Sequence, residues 1–213
     1  MKESTEQILN ELIINYPSLK PVKENILKAF EILNKTYLSG GTVFICGNGG
    51  SAADSEHIVG ELMKSFRKKR PLDPEFDKNL KNAGTLGQEL SVNLEAGIPA
   101  VSLCGHVALT TAFSNDKNPL VTYAQQLCVM GKRGDSLITV STSGNAKNCL
   151  YAAVTAKAKG ISVILLSGKD GGKIKSCADC AMVVGETETY RIQELHLPVY
   201  HCLCAMLENE NFN

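Results

Sequence analysis

The sequence predicts an α/β fold, a parallel sheet with helices on both faces. Five short apolar runs, at residues 42–46, 100–103, 136–140, 161–166 and 181–184, alternate with stretches of helical periodicity. The runs are continuously apolar rather than alternating, the pattern of strands buried on both sides. Two of them end in serine- and glycine-rich turns, at residues 47–51 and 141–145. In an open sheet of this kind both turns would lie at the carboxyl edge, where ligands bind.

The 213 residues carry 22 basic and 22 acidic side chains, a net charge of zero. That balance gives no reason to expect nucleic acid or an anionic membrane as partner. No apolar run approaches the ~18–20 residues that span a bilayer. The segment Met1-Lys2-Glu3-Ser4-Thr5-Glu6-Gln7 lacks the apolar core of a signal peptide. A soluble, cytoplasmic protein of one domain, residues 1–213, is expected. Its eight cysteines are then expected as free thiols. Cys46, Cys104, Cys128 and Cys149 lie in apolar segments and read as small buried hydrophobes. Cys177-Ala178-Asp179-Cys180 has no second pair at the spacing structural zinc sites show.

Residues 1–40 form a helical arm. Ile8, Leu9, Leu12 and Ile13 make one stripe; Val22, Ile26, Ala29, Phe30 and Leu33 make a second, with Pro17 and Pro21 between them. Such a pair must cover its own sheet or another subunit. The first strand then enters Gly47-Asn48-Gly49-Gly50-Ser51 and a helix. Residues 67–98 interrupt the alternation: Arg67-Lys68-Lys69-Arg70 is basic and proline-broken, and the polar stretch reads as a solvated loop with a short helix near 88–96. A loop of that length is also the sort that covers an active site, and its basic tetrad would draw in a phosphorylated substrate. After the second strand, a helix at 109–113 is expected to break at Ser114-Asn115-Asp116, and a further helical run covers 120–129. The third strand leads to a helix at 146–159 capped by Gly160. The fourth strand, a turn at 168–172, a short fifth strand and a final helix at 190–207 complete the chain.

The first turn carries the chemistry. Gly47, Gly49 and Gly50 let the backbone approach a ligand, and the helix they open favours an anion at its N-terminus. Ser51 adds a hydroxyl. Ser141, Thr142 and Ser143 offer three more at the second turn, a phosphate nest that needs no lysine, although a hydroxyl-rich N-cap has the same composition. Gly47-Asn48-Gly49-Gly50-Ser51-Ala52 formally satisfies a dinucleotide fingerprint, but no acidic residue ends the second strand to hold a ribose, and no Walker-type loop occurs. His57 and Glu61 share a helical face four residues apart. On the last helix, Gln193 and His201 recur eight residues apart, about 12 Å along the axis. Two imidazoles, a carboxylate and an amide suit either a zinc-class metal or an acid–base pair passing a proton. His106 and His196 read as satisfied polar core residues.

These segments resemble a known family. Gly47-Asn48-Gly49-Gly50-Ser51-Ala52-Ala53-Asp54, Ser114-Asn115-Asp116, Ser141-Thr142-Ser143-Gly144-Asn145, Gly168-Lys169-Asp170-Gly171-Gly172 and Arg191-Ile192-Gln193-Glu194 are similar to the sugar-isomerase (SIS) domain, and within it to the phosphoheptose isomerase group. The resemblance implies an αβα sandwich with a five-stranded parallel sheet of flavodoxin-like topology, assembled as a homotetramer with sites between subunits. It implies conversion of sedoheptulose 7-phosphate to D-glycero-D-manno-heptose 7-phosphate through an enediol. Glu61 matches the family's base and His201 its acid; His57, Glu61, Gln193 and His201 match the ligands of one zinc per subunit. Ser51, Ser141, Thr142 and Ser143 match phosphate contacts. Asn48, Gly49, Gly50, Asn115, Asp116 and Gln193 fall among the substrate-binding positions. Ala146 stands where members often carry another serine, Ser65 where an arginine is usual, and Tyr190 where an aspartate commonly precedes the Arg-Ile-Gln motif. Other functions within the resemblance are isomerisation of a different sugar phosphate and non-catalytic binding of the bacterial replication initiator. The non-catalytic relatives lack the second histidine, which is present here as His201. An SIS sugar-phosphate sensor would need a DNA-binding domain, for which these 213 residues leave no room.

Overall fold

In the computed structural model, which describes residues 1–212, all five apolar runs become strands of one sheet. These are β1 (Val43–Cys46), β2 (Ala100–Ser102), β3 (Ser136–Val140), β4 (Ser162–Ser167) and β5 (Cys180–Val183). The order is β2-β1-β3-β4-β5 and every pairing is parallel. β1 therefore has β2 on one side and β3 on the other, with Val43 opposite both Ala100 and Ser136. Chain direction across the sheet reverses there, so the turns after β1 and β3 lie side by side at the carboxyl edge.

Successive residues of each strand face opposite ways, and the sheet buries two cores accordingly. Val43, Ile45, Ile138, Val140, Ile164 and Leu166 meet α1 (Glu3–Asn15), α2 (Lys23–Leu38), α3 (Gly50–Met63) and α9 (Thr189–Asn211) through Leu9, Ile26, Phe30, Ile58 and Leu203. Phe44, Cys46, Leu137, Val163 and Leu165 meet α7 (Thr122–Met130) and α8 (Lys147–Ala158) through Leu127, Ala152 and Ala156. Each such leucine or phenylalanine contributes about 1.5–3 kcal/mol by leaving water. The arm thus covers this chain's own sheet and its last helix.

Several sequence expectations change. The segment after α3 is not a solvated loop with one helix but a pair, α4 (Pro74–Asn82) and α5 (Thr85–Asn93). Asp73 caps α4 by accepting from the Glu75 and Phe76 N–H groups at 3.0 Å each, and Pro74 opens it. The segment's ends are stitched to the end of α3: the Ile98 N–H donates to the Leu62 carbonyl, and Glu95 accepts from the Ser65 N–H, both at 2.9 Å. Arg70, expected in the solvated tetrad, is 1% exposed. Ser114-Asn115-Asp116 does not break a helix but ends one, α6 (Val107–Asp116). Cys128 is exposed and Cys104 half-buried, whereas Cys46 and Cys149 are buried, and all eight thiols are free. The described residues contain no helix long and apolar enough to cross a membrane.

Candidate active site

Helices α3 and α9 run side by side in the same direction, and the site is strung along their contact. At the start of α3, a Cβ on Gly50 would come within 2.7 Å of Gln193 Nε2. Glycine leaves room there for the end of the Gln193 side chain. One to two turns further on, His57 faces Tyr200 and His201.

The first end of the site is a cavity of about 150 Å³ where the two turns meet α9. Ser51, Ser141, Thr142 and Ser143 line it together with Asn48, Thr189 and Gln193. The serines and threonine expected from two separate loops therefore line one cavity, beside the N-terminus of α3, with the Ser143 hydroxyl also accepting from the Asn145 N–H at 3.2 Å. Gly49, at φ +56°, makes the turn that opens this helix. Tyr123 holds the turn from behind, donating to the Gly47 carbonyl at 2.7 Å; burial raises its hydroxyl pKa. Asn48 and Asn148 lash the turns together by a reciprocal amide pair, at 2.9 and 2.8 Å. Sequence reasoning missed Tyr123, Asn148 and Thr189. Asn148 is the second residue of α8, and its partner lies 100 residues away.

The second end gathers His57, Glu61 and His201. His57 Nε2 lies 3.3 Å from Glu61 Oε1 and 3.4 Å from His201 Nε2. Lys64, one turn beyond, donates to Glu61 Oε2 at 3.2 Å. Phe66 tilts against the His201 ring at 5.4 Å between centroids. Burial, and secondarily the neighbouring His57 charge, lower the His201 pKa, with Glu61 opposing. Behind His57, the Tyr200 hydroxyl lies 3.0 Å from Nδ1 and donates to Asp54 Oδ1 at 3.3 Å. The other Asp54 oxygen is buried without a partner, and burial raises the Asp54 pKa against the lowering effect of that hydrogen bond.

Donors bound tetrahedrally at the usual zinc distances stand about 3.3 Å from one another. Two of the spacings here have that value, and the donor types suit the ion. The third edge is open, since the basic groups within 4.0 Å of the Glu61 carboxylate are His57 and Lys64, and His201 is not among them. Among the described residues no three or more His, Cys, Asp or Glu side chains are drawn together as a metal centre. Gln193 lines the hydroxyl cavity rather than joining the imidazoles. Asn115 and Asp116 lie exposed at the end of α6, the Asn115 amide donating to Asp116 at 3.0 Å, and are not among the residues lining the cavity. His106 proves exposed and partnered, 2.6 Å from Gln126 Oε1. His196 is fully buried, but neither ring nitrogen has a partner, so it is not a satisfied core residue.

The SIS domain family model matches residues 18–90. A phosphoheptose isomerase of Helicobacter pylori (strain P12) is 34% identical over 191 residues, covering 90% of this chain and 86% of that one. The Clostridium acetobutylicum phosphoheptose isomerase is 35% identical over 189 residues, covering 89% and 84%. Among solved structures, the phosphoheptose isomerase of Neisseria gonorrhoeae superposes with a TM-score of 0.73 at 28% identity, covering 97% and 98%. The chain belongs to the SIS domain family, in its phosphoheptose isomerase group.

Proposed function

From that membership we propose that the protein interconverts sedoheptulose 7-phosphate and D-glycero-D-manno-heptose 7-phosphate, as an aldose–ketose isomerase. The observation that carries this reading is the pairing of a hydroxyl-lined anion cavity with a carboxylate–imidazole cluster along one helix, α3.

The phosphate binds in the cavity, against the hydroxyls of Ser51, Ser141, Thr142 and Ser143 and the free N–H groups of the helix start. Glycine at 49 and 50 admits it, while Asn48 and Gln193 hold sugar hydroxyls. Asn115 and Asp116, exposed at the end of α6 and outside the cavity lining, we assign to sugar hydroxyls at a site completed between subunits. At the far end Glu61 takes the proton from C1 of the ketose and returns it to C2. His201 gives a proton to the C2 oxygen while the C1 hydroxyl loses one, so that the enediol forms and collapses with no net redox change. Such proton transfers contribute about 10²–10⁴-fold each.

His57, Glu61 and His201 would hold one zinc per subunit; Gln193, on the cavity side, is left to the sugar. The ion would polarise the carbonyl and stabilise the enediolate oxygens. We read the chain as a single domain working in the cytoplasm as a homotetramer, with residues 67–98 as a lid. In support, the helices of that segment expose Phe76, Leu86 and Leu90, side chains that a neighbouring subunit or a closed site would cover.

The test is turnover by the purified, zinc-replete protein across ketose phosphates of different chain length. Conversion is expected for the seven-carbon sugar and to fall for shorter ones. No conversion of sedoheptulose 7-phosphate would overturn the assignment.

A further inference from the structure

Tyr200 and His201 are consecutive on α9, so their side chains diverge by about 100°. They straddle one imidazole: Tyr200 lies against Nδ1 of His57 and His201 against Nε2. The Tyr200 hydroxyl has a single proton to give. It has two possible acceptors, Asp54 Oδ1 at 3.3 Å and His57 Nδ1 at 3.0 Å.

Counting donors settles the choice. Among the described residues no other hydrogen bond reaches Asp54, and its second oxygen is already buried without a partner. If Tyr200 gave its proton to His57, this partly buried carboxylate would be left with no donor at all, a state that costs more than a hydrogen bond returns. If Tyr200 gives it to Asp54, the hydroxyl oxygen must accept from His57, which requires the proton on Nδ1. All three groups are then served, Nε2 is left bare to accept from His201, and Glu61 keeps Lys64 as its donor. That electron pair faces Glu61 Oε1 at 3.3 Å and His201 Nε2 at 3.4 Å.

We propose that Tyr200, anchored by Asp54, is a positioning residue that locks His57 in its Nδ1–H tautomer and aims the bare Nε2 into the reacting cluster. The two imidazoles are thereby made unlike. His57 is an acceptor or metal ligand only, and His201 is left as the ring able to present a proton. Partners behind a ligating histidine commonly matter about 10–100-fold in metal affinity or activity. The proposal rests on reading this cluster as the reacting site, but the tautomer can be observed without turnover.

The experiment is nitrogen-15 NMR of imidazole-labelled, chelator-treated full-length protein at about pH 8.5, where ordinary imidazoles are neutral. The four histidines of the chain make assignment practicable by single substitution. His57 is expected to show a protonated Nδ1 and an unprotonated Nε2. In Asp54→Leu the tyrosine proton has only Nδ1 left as acceptor, so the tautomer is expected to invert. In Tyr200→Phe the ring is expected to lose its preference, and zinc affinity to drop about ten-fold or more. A merely structural role for Tyr200 would leave the tautomer unmoved in both variants. An Nε2–H signal in the unsubstituted protein would overturn the proposal even if Asp54→Leu failed to fold. The expected tautomer without sedoheptulose 7-phosphate turnover would leave the relay standing and remove the assigned reaction.

Discussion

Arg70 and Glu208, 138 residues apart in sequence, form an ion pair with no solvent access, at 2.8 Å. The same guanidinium donates to the carbonyls of Leu62 and Glu61 at 2.6 and 2.9 Å. It thereby satisfies the last turn of α3, whose carbonyls have no helical partner. Glu208 in turn accepts from the N–H groups of Phe66, Arg67 and Lys68. One buried pair fixes the end of the helix bearing Glu61 to the helix bearing His201.

Arg70→Met is therefore expected to cost about 3 kcal/mol, the lower end for breaking a buried pair, because Glu208 keeps its three backbone donors. Urea unfolding measures it. A loss below about 1 kcal/mol would mean that the pair is not held as described. Arg70→Lys keeps the charge but not the planar fork, and should fall between.

Glu61→Gln is expected to lower kcat for sedoheptulose 7-phosphate by at least about 10²-fold with KM little changed, since the amide keeps the shape but cannot take a proton. Steady-state kinetics decide the matter; near-normal kcat would remove Glu61 from the role of base.

Asn148→Ala cuts both hydrogen bonds of the amide pair that joins the two hydroxyl-bearing turns. An exposed pair of this kind is worth about 1 kcal/mol. KM should rise about five-fold while kcat holds. A fall in kcat alone would show that the pair serves the reacting end instead.

Zinc content should approach one ion per subunit by elemental analysis, and dialysis against a chelator should abolish turnover until zinc is restored. Full activity after complete removal would leave the imidazoles acting as an acid–base set alone.

His196 supplies a pH dependence. Burial lowers its pKa from 6.5 to about 4 in the folded chain, slightly opposed by the nearby Ser167 backbone. Below its ordinary value the unfolded chain takes up a proton that the folded chain refuses. Stability is thus complete above about pH 6.5 and falls as the pH drops towards about 4, by at most about 3 kcal/mol. Denaturant titrations at pH 7 and pH 5 should show the loss, and His196→Leu should abolish this part of it. An unchanged slope in the variant would assign the loss to other groups.

What could be read in the sequence divides along a physical line. Strands at 43–46 and 162–167 announced themselves by continuous apolar runs, and His57 with Glu61 by helical spacing, because both are local patterns. The capping signal of Asp73-Pro74 was also local, but the basic tetrad before it drew attention to charge and solvent. Arg70 could not be assigned from its neighbours: its burial depends on Glu208, far along the chain. Asn148 and Tyr200 were equally silent, each defined by a partner at least 100 residues away. Ser114-Asn115-Asp116 has the composition of a helix breaker, yet such residues are tolerated in the last turn of a helix, where α6 keeps them.

The shared axis of α3 and α9 makes the site a gauge. Ser51 and Glu61 are ten residues apart on one rigid rod, about 15 Å at 1.5 Å per residue. On the proposed reading, that rise is the span along which an extended sugar phosphate would lie between its phosphate and its reacting carbons. Each carbon removed shortens the molecule by about 1.3 Å, and the helix that carries both residues does not shorten with it. Discrimination by length would then reside in the count of residues between anchor and base, and shifting either by a single turn would recalibrate it.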